Sequence, residues 1–336
     1  MFTAAIVGAT GYTGLELCRL LSHHPGVIIT NVYSRKAFGK PVSEVNPHLD
    51  LDLIYDTFDP ANIPDVDILF LAIPHGESHM MFEHFKNAKC KIIDLSADFR
   101  LSCPDVFKSY YGQTHQSPEG LDAFVYGLPE INKDKLAGAQ YCASPGCYAT
   151  GTILGLYPLS QEGILTKPVI VDGKSGVTGA GRSLKEDFLF CEANEALSAY
   201  NTFIHRHQAE MHSLLNVQCL FSPHLVPMNR GILLSMYVEN SQGLTEKDIF
   251  QFYEEMYKDC PFIQYNTTID KPSTKFVSGS NNCMITVKVF DDVNKIVVFA
   301  TLDNLIKGAA GQAIQNMNVM CDFDETLGLP TSASYV

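Results

Sequence analysis

Residues 8–14 read Gly-Ala-Thr-Gly-Tyr-Thr-Gly, directly after the apolar stretch Thr3–Val7 and directly before the helical run Leu15–His24. A strand that turns on three glycines into a helix leaves few folds open. Gly8, Gly11 and Gly14 let a pyrophosphate approach the backbone and rest on the helix N-terminus. The triad alone is weak; its place between a first strand and an amphipathic helix carries the inference. The spacing G-x-x-G-x-x-G is not the commoner G-x-G-x-x-G, and a tight turn with no ligand is the competing reading.

Further apolar runs at Val27–Tyr33, Val66–Ile73 and Cys90–Leu95, with a helix expected at Met80–Phe85, continue a βαβ alternation. That pattern predicts an α/β fold with a doubly wound parallel sheet of the Rossmann type. The second strand ends in Ser34-Arg35-Lys36, without the acid that grips a 2′-hydroxyl in NAD sites, so NADP(H) is the expected cofactor. The candidate cofactor-binding set is Gly8, Thr10, Gly11, Tyr12, Thr13, Gly14, Ser34 and Arg35, with Asn304 from the far end of the chain. Ligands of such sheets gather at strand ends. There Asp94–Arg100 (DLSADFR) offers Arg100 as a bidentate partner for an anion.

Ala143–Leu156, ASPGCYATGTILGL, sets Cys147 at the opening of a small, apolar helix behind the turn Ser144-Pro145-Gly146. Unpaired N–H groups and the dipole there favour an anion and lower a thiol pKa, which makes Cys147 a candidate nucleophile. A buried structural cysteine is the alternative for any one of ten. Downstream, a strand at Lys167–Lys174 precedes the glycine-rich Ser175–Arg182, whose flexible glycines beside Lys174 and Arg182 suit closure over a phosphate or carboxylate. His205-Arg206-His207 follows, with Glu210 three residues past His207 on one helical face. An imidazole is the usual proton carrier for thiol chemistry, and His207 is favoured over His205. No Cys or acid pair lies at ligand spacing, so zinc is discounted. Strands at Gly231–Val238, Cys283–Phe290 and Lys295–Leu302 point to a mixed or antiparallel sheet with a face for a second copy, and residues 303–316 form a small-residue helix.

The 336 residues exceed one common core. The domains are placed at 1–146, completed by 303–336, and at 147–302. A net charge of −13 argues against nucleic acid and requires a local Arg/Lys cluster for an anionic substrate. No apolar run nears the about 20 residues of a membrane span. The start, MFTAAIVGAT, has no basic region and reads as a strand rather than a signal peptide. Ten cysteines without a CxxC pair fit reduced thiols and a cytoplasmic protein.

GATGYTGLEL, DLSADFR, YGLPE, SPGCYAT, SGVTGAGR, HRHQAEM, PHLVPMNRGIL and DNLIKGAAGQAIQNMN, in order from residue 6 to about 318, together resemble the type 1 N-acetyl-γ-glutamyl-phosphate reductases. The resemblance implies a semialdehyde-dehydrogenase-like fold: the Rossmann-type domain plus a second α+β domain with a mixed sheet. It implies NADPH-dependent reduction of an acyl phosphate in arginine biosynthesis by a homo-oligomer, dimer or tetramer. The family's SPGCYAT cysteine, here Cys147, is its nucleophile, and its HRHxPE element carries the acid/base histidine. Here Ala209 stands in the proline position, while both histidines and Glu210 remain. Arg100, Lys174, Arg182 and Ser144 are the candidate substrate-binding residues. Aspartate-semialdehyde dehydrogenase, a carrier-linked lysine-pathway reductase and a non-catalytic NADP-binding sensor are the alternatives; the first usually sets its cysteine in a QNC-type context, which SPGCYAT does not match.

Overall fold

The first unit carries a six-stranded, all-parallel sheet in the order β2-β1-β3-β4-β6-β5. The strands are β1 Phe2–Val7, β2 Val27–Tyr33, β3 Ile68–Leu71, β4 Lys91–Asp94, β5 Val125–Tyr126 and β6 Tyr141–Ala143. The computed structural model describes residues 1–266 and 268–334. The chain divides into Met1–Pro145 with Ala309–Leu329, and Gly146–Gly308 with the residues from Pro330 onward.

In the first unit, Ala5, Leu69, Leu71 and Ile92 face a cluster of Phe82, Phe85, Phe99 and Phe124. The alternate residues Ile6, Ile68, Phe70 and Ile93 are fully buried as well. Both faces of the sheet are therefore covered, which is why its strands read as apolar runs rather than alternating ones. The order reverses at β1, and the glycine turn leaves that strand to start α1, Tyr12–Leu21. Two expected elements are shorter. The strand expected at 66–73 is β3 alone, and the helix expected at 80–85 is a 3₁₀ turn, Ser78–Met80, followed by one helical turn, Phe82–Phe85.

The second unit holds a seven-stranded sheet in the order β11-β12-β13-β10-β7-β9-β8. Its strands are β7 Val169–Gly176, β8 Ser198–Ala199, β9 Cys219–Val226, β10 Ile232–Glu239, β11 Ile263–Asn266, β12 Cys283–Phe290 and β13 Lys295–Leu302. β7 pairs with β9, and β11 with β12, in parallel; the other pairs are antiparallel, so the sheet is mixed. The Cys147–Gln161 helix crosses one face. A methyl on Gly151 would lie 2.6 Å from Leu234 Cδ1 and 2.7 Å from Leu302 Cδ2, so small residues bring helix and sheet into contact. From the Glu246–Tyr257 helix, Tyr253 donates its hydroxyl to Gly155 O and Tyr257 donates to Leu154 O. The helix expected over 303–316 begins later. Ile306–Ala310 is a π-turn, with Gly308 N–H donating to Asp303 O, and the α-helix that follows, Gly311–Met320, belongs to the first unit.

Among the described residues, no helix is long and apolar enough to cross a membrane. A Gly151→Leu substitution overpacks the helix–sheet contact and should cost about 1–3 kcal/mol, read as a lowered urea midpoint. An unchanged midpoint would contradict this packing.

Candidate active site

The second unit gathers Cys147, His205, His207 and Glu210. Cys147 is the first residue of its helix, and Gly146, extended at φ −72 and ψ 145, is the N-cap. Glu210, 1% exposed, accepts the Gly146 N–H at 2.9 Å. A methyl on Gly146 would sit 2.4 Å from His207 Nε2, so the imidazole lies directly against the residue before the cysteine. On the other side, a methyl on Gly308 would lie 2.8 Å from Cys147 Cβ. Glu210, the residue expected to orient His207, also gives a carboxylate oxygen to the helix-start N–H.

His205 packs edge-on to His207, with ring centroids 4.7 Å apart, inside an aromatic wall of Tyr148, Tyr200 and Phe221. Its Nδ1 accepts the His207 N–H at 3.2 Å. Burial, then the neighbouring Arg206 charge, pulls its pKa down to about 4. The phenols of Tyr148 and Tyr200, 3.5 Å apart, are both pushed up, chiefly by burial and in part by the nearby Cys147 charge. Sequence reading missed both tyrosines. Tyr148 stood in the motif as an ordinary helix residue, and Tyr200 reaches the site only through the tertiary fold.

Two further candidates, Lys174 and Asn304, lie in this unit. Alternation along β7 turns Gly173 toward Tyr148 and so puts Lys174 on the opposite sheet face. There it pairs with Asp172 at 2.5 Å, and His224 lies 3.2 Å from the same carboxylate. Lys174 is therefore not assembled with Cys147. Asn304 is 2% exposed; its Oδ1 accepts Gly231 N–H at 2.7 Å and its Nδ2 donates to Thr178 Oγ1 at 3.0 Å. Thr178 in turn donates to Asn229 O at 2.6 Å. The glycine-rich loop expected to close over a ligand is thus pinned along its first half, with the exposed Arg182 just past it.

In the first unit, Gly8 has φ +83, and a methyl there would meet Ala72 O at 2.1 Å; only glycine fits this turn. A methyl on Gly11 would meet only Gly8 O, at 3.5 Å, so the space over the start of α1 is open. That opening, beside the first N–H groups of a ten-residue helix, suits a pyrophosphate. Thr10 Oγ1 lies 2.7 Å from Ser34 Oγ, which joins the turn to the end of β2. The exposed Arg35 reaches Glu77 at 3.1 Å. The residues fit a dinucleotide. Arg100 donates to Leu95 O at 2.8 Å, and Ser144, 2% exposed, receives Asn316 Nδ2 at 3.4 Å. Sequence reading passed over Asp94 and Asp98. Asp94 binds the N–H and hydroxyl of Ser96, and Asp98 binds the N–H groups of Gly76 and His79. Burial, then Asp98, raises the Asp94 pKa to about 7.

Family models cover both units. Residues 3–139 match the semialdehyde dehydrogenase NAD-binding domain, and residues 147–304 match the semialdehyde dehydrogenase dimerisation domain. The chain is 42% identical over 340 residues to an N-acetyl-gamma-glutamyl-phosphate reductase of Pelobacter propionicus, covering 98% of each. It is 44% identical over 331 residues to the same-named protein of Campylobacter jejuni, covering 96% of each. In fold it resembles aspartate semialdehyde dehydrogenase II of Vibrio cholerae (TM-score 0.70, 16% identity, 96% of this chain and 99% of that one). A probable aspartate-semialdehyde dehydrogenase of Pseudomonas aeruginosa is similar too (TM-score 0.69, 19% identity, 95% and 98%).

The lowered pKa makes a prediction with a definite sign. As pH falls from 6.5 toward about 4, the unfolded chain takes a proton that folded His205 refuses, so His205 costs the fold stability in that window and nothing above it. In an NMR titration the His205 ring signals should stay flat from about pH 8 to 5.5 and move only below that. A midpoint near 6.5 would contradict the burial argument.

Proposed function

The chain belongs to the N-acetyl-γ-glutamyl-phosphate reductases of the semialdehyde dehydrogenase family, and from that premise we propose that it reduces N-acetyl-L-glutamyl 5-phosphate to N-acetyl-L-glutamate 5-semialdehyde and phosphate. The observation that carries the reading is Cys147 at a helix start, with the His207 imidazole packed against the preceding residue.

The Cys147 thiolate attacks the acyl carbonyl; the carbon–oxygen bond to phosphate breaks, phosphate leaves, and a thioester remains. Helix-start N–H groups favour the sulfur anion before attack. A reduced nicotinamide dinucleotide, its pyrophosphate held by the Gly8–Gly14 turn, would supply the hydride that takes the thioester carbon to the aldehyde level. The carbon–sulfur bond then breaks and Cys147 is released, with His207 giving a proton as the aldehyde forms and accepting one in the reverse direction. His205, uncharged at neutral pH, holds the His207 backbone and walls the site instead of carrying the proton. Arg100 and Arg182 are the proposed anion-binding side chains; Lys174, on the far face of β7, is not among them.

NADP(H) is the proposed dinucleotide. The support is the Thr10–Ser34 contact at the end of β2 with Arg35 following, where a 2′-phosphate can take the place of the Glu77 carboxylate on the guanidinium. The outer face of the second sheet, which exposes Ile170 and Tyr237, is the proposed contact between two copies. The reaction belongs to arginine biosynthesis, and ten cysteines without a CxxC pair support a cytoplasmic setting.

Cys147→Ser should lower acyl-phosphate reduction by at least about 10³-fold while NADPH binding by titration calorimetry is retained; near-normal turnover would remove the scheme. Arg35→Ala should weaken NADPH binding by about tenfold or more and leave NADH binding little changed. A variant that kept its preference for NADPH would overturn the cofactor assignment.

A further inference from the structure

The Glu210 carboxylate is 1% exposed, and one of its oxygens accepts the N–H of Gly146 at 2.9 Å across 64 residues of sequence. Gly146 is the N-cap of the helix that Cys147 opens. At a helix start the first N–H groups have no carbonyl one turn earlier, so the direction of the cap is set by whatever takes them. Here a side chain takes one. Gly146 is also blocked on another side, where a methyl group would lie 2.4 Å from His207 Nε2. His207 and Glu210 stand three residues apart on one helix, His207–Leu215, so a single rigid element holds Gly146 by two contacts of different kinds.

A carboxylate near a helix start works against a thiolate by simple repulsion, so its charge is no help to the sulfur. Its reach is. We propose that Glu210 is a positioning residue: by holding the Gly146 N–H it sets the direction in which the Cys147 sulfur leaves the helix, through the place of its oxygen rather than through its charge. The proposal rests on Cys147 being the nucleophile. The rival role for the same carboxylate is electrostatic, pairing with a protonated His207, and the two make opposite demands on substitution.

Glu210→Gln keeps an acceptor oxygen at the same reach and removes the charge. Glu210→Asp keeps the charge and withdraws the oxygen by about one carbon–carbon bond. Glu210→Ala removes both. Two readouts on the full chain separate the roles: kcat and KM, and the rate at which iodoacetamide alkylates Cys147, followed by peptide mass without substrate or cofactor. Positioning predicts that Glu210→Gln loses less than about tenfold in kcat, whereas Glu210→Asp and Glu210→Ala lose about 10²-fold with KM within about threefold. Alkylation should fall in the same order. Glu210→Asp outperforming Glu210→Gln would overturn the proposal in favour of the charge, and equal losses or no loss in all three would overturn it outright. If Glu210→Ala does not fold, the Gln–Asp comparison decides alone. Cys147→Ser with normal turnover would instead sink the nucleophile reading, a result the alkylation series does not mimic.

Discussion

A single buried hydrogen bond, Gly146 N–H to Glu210 Oε2, sets the start of the helix on which the proposed chemistry depends. A hydrogen bond to a charged group contributes about 1.5–3 kcal/mol net, and the cost of stranding a buried carboxylate is larger. The contact is therefore hard to break once the fold has closed around it. Its geometry explains the residues beside Cys147. Position 146 has no room for a side chain because His207 fills that space, and position 308 has none because Cys147 Cβ lies there. The π-turn Ile306–Ala310 is what brings Gly308 to that point.

The first unit rests on a comparable tie at its strand ends. Asp94 and Asp98 are buried side by side, and their oxygens take N–H groups from Ser96, Gly76 and His79. Burial disfavours the Asp94 charge and the neighbouring Asp98 adds to that, which pushes Asp94 up to about 7. The loops after β3 and β4 are thereby fastened to each other beside the edge where a parallel sheet takes its ligand. Gly8 and the Thr10–Ser34 contact complete that edge at the β1 end.

Much of this was legible in the chain. β2, β12 and β13 coincide with their apolar runs because each keeps at least one face buried along its length. β9 escaped notice because Pro223 and His224 interrupt CLFSPHLV, although they lie in a strand paired along its whole length with β7. Lys174 lies on the face of β7 away from Tyr148, which the sequence does not announce. A strand's two faces differ by one residue of register, and nothing local says which face will meet the Cys147 helix. Asn304, a candidate for the cofactor, joins Gly231 to Thr178 through its amide, a contact between residues far apart in the chain that no local pattern announces. The Glu210 contact spans 64 residues and leaves no periodic trace, whereas the cysteine and the histidines were visible by type alone.

The proposed chemistry turns on the sulfur of Cys147 taking the acyl group from the phosphate. The direct test mixes the protein with N-acetyl-L-glutamyl 5-phosphate in the absence of NADPH, quenches with acid and weighs the proteolytic peptides. An N-acetylglutamyl adduct, labile to hydroxylamine, is expected on the peptide that contains Cys147. An unmodified Cys147 peptide from protein that turns over normally once NADPH is added would contradict it.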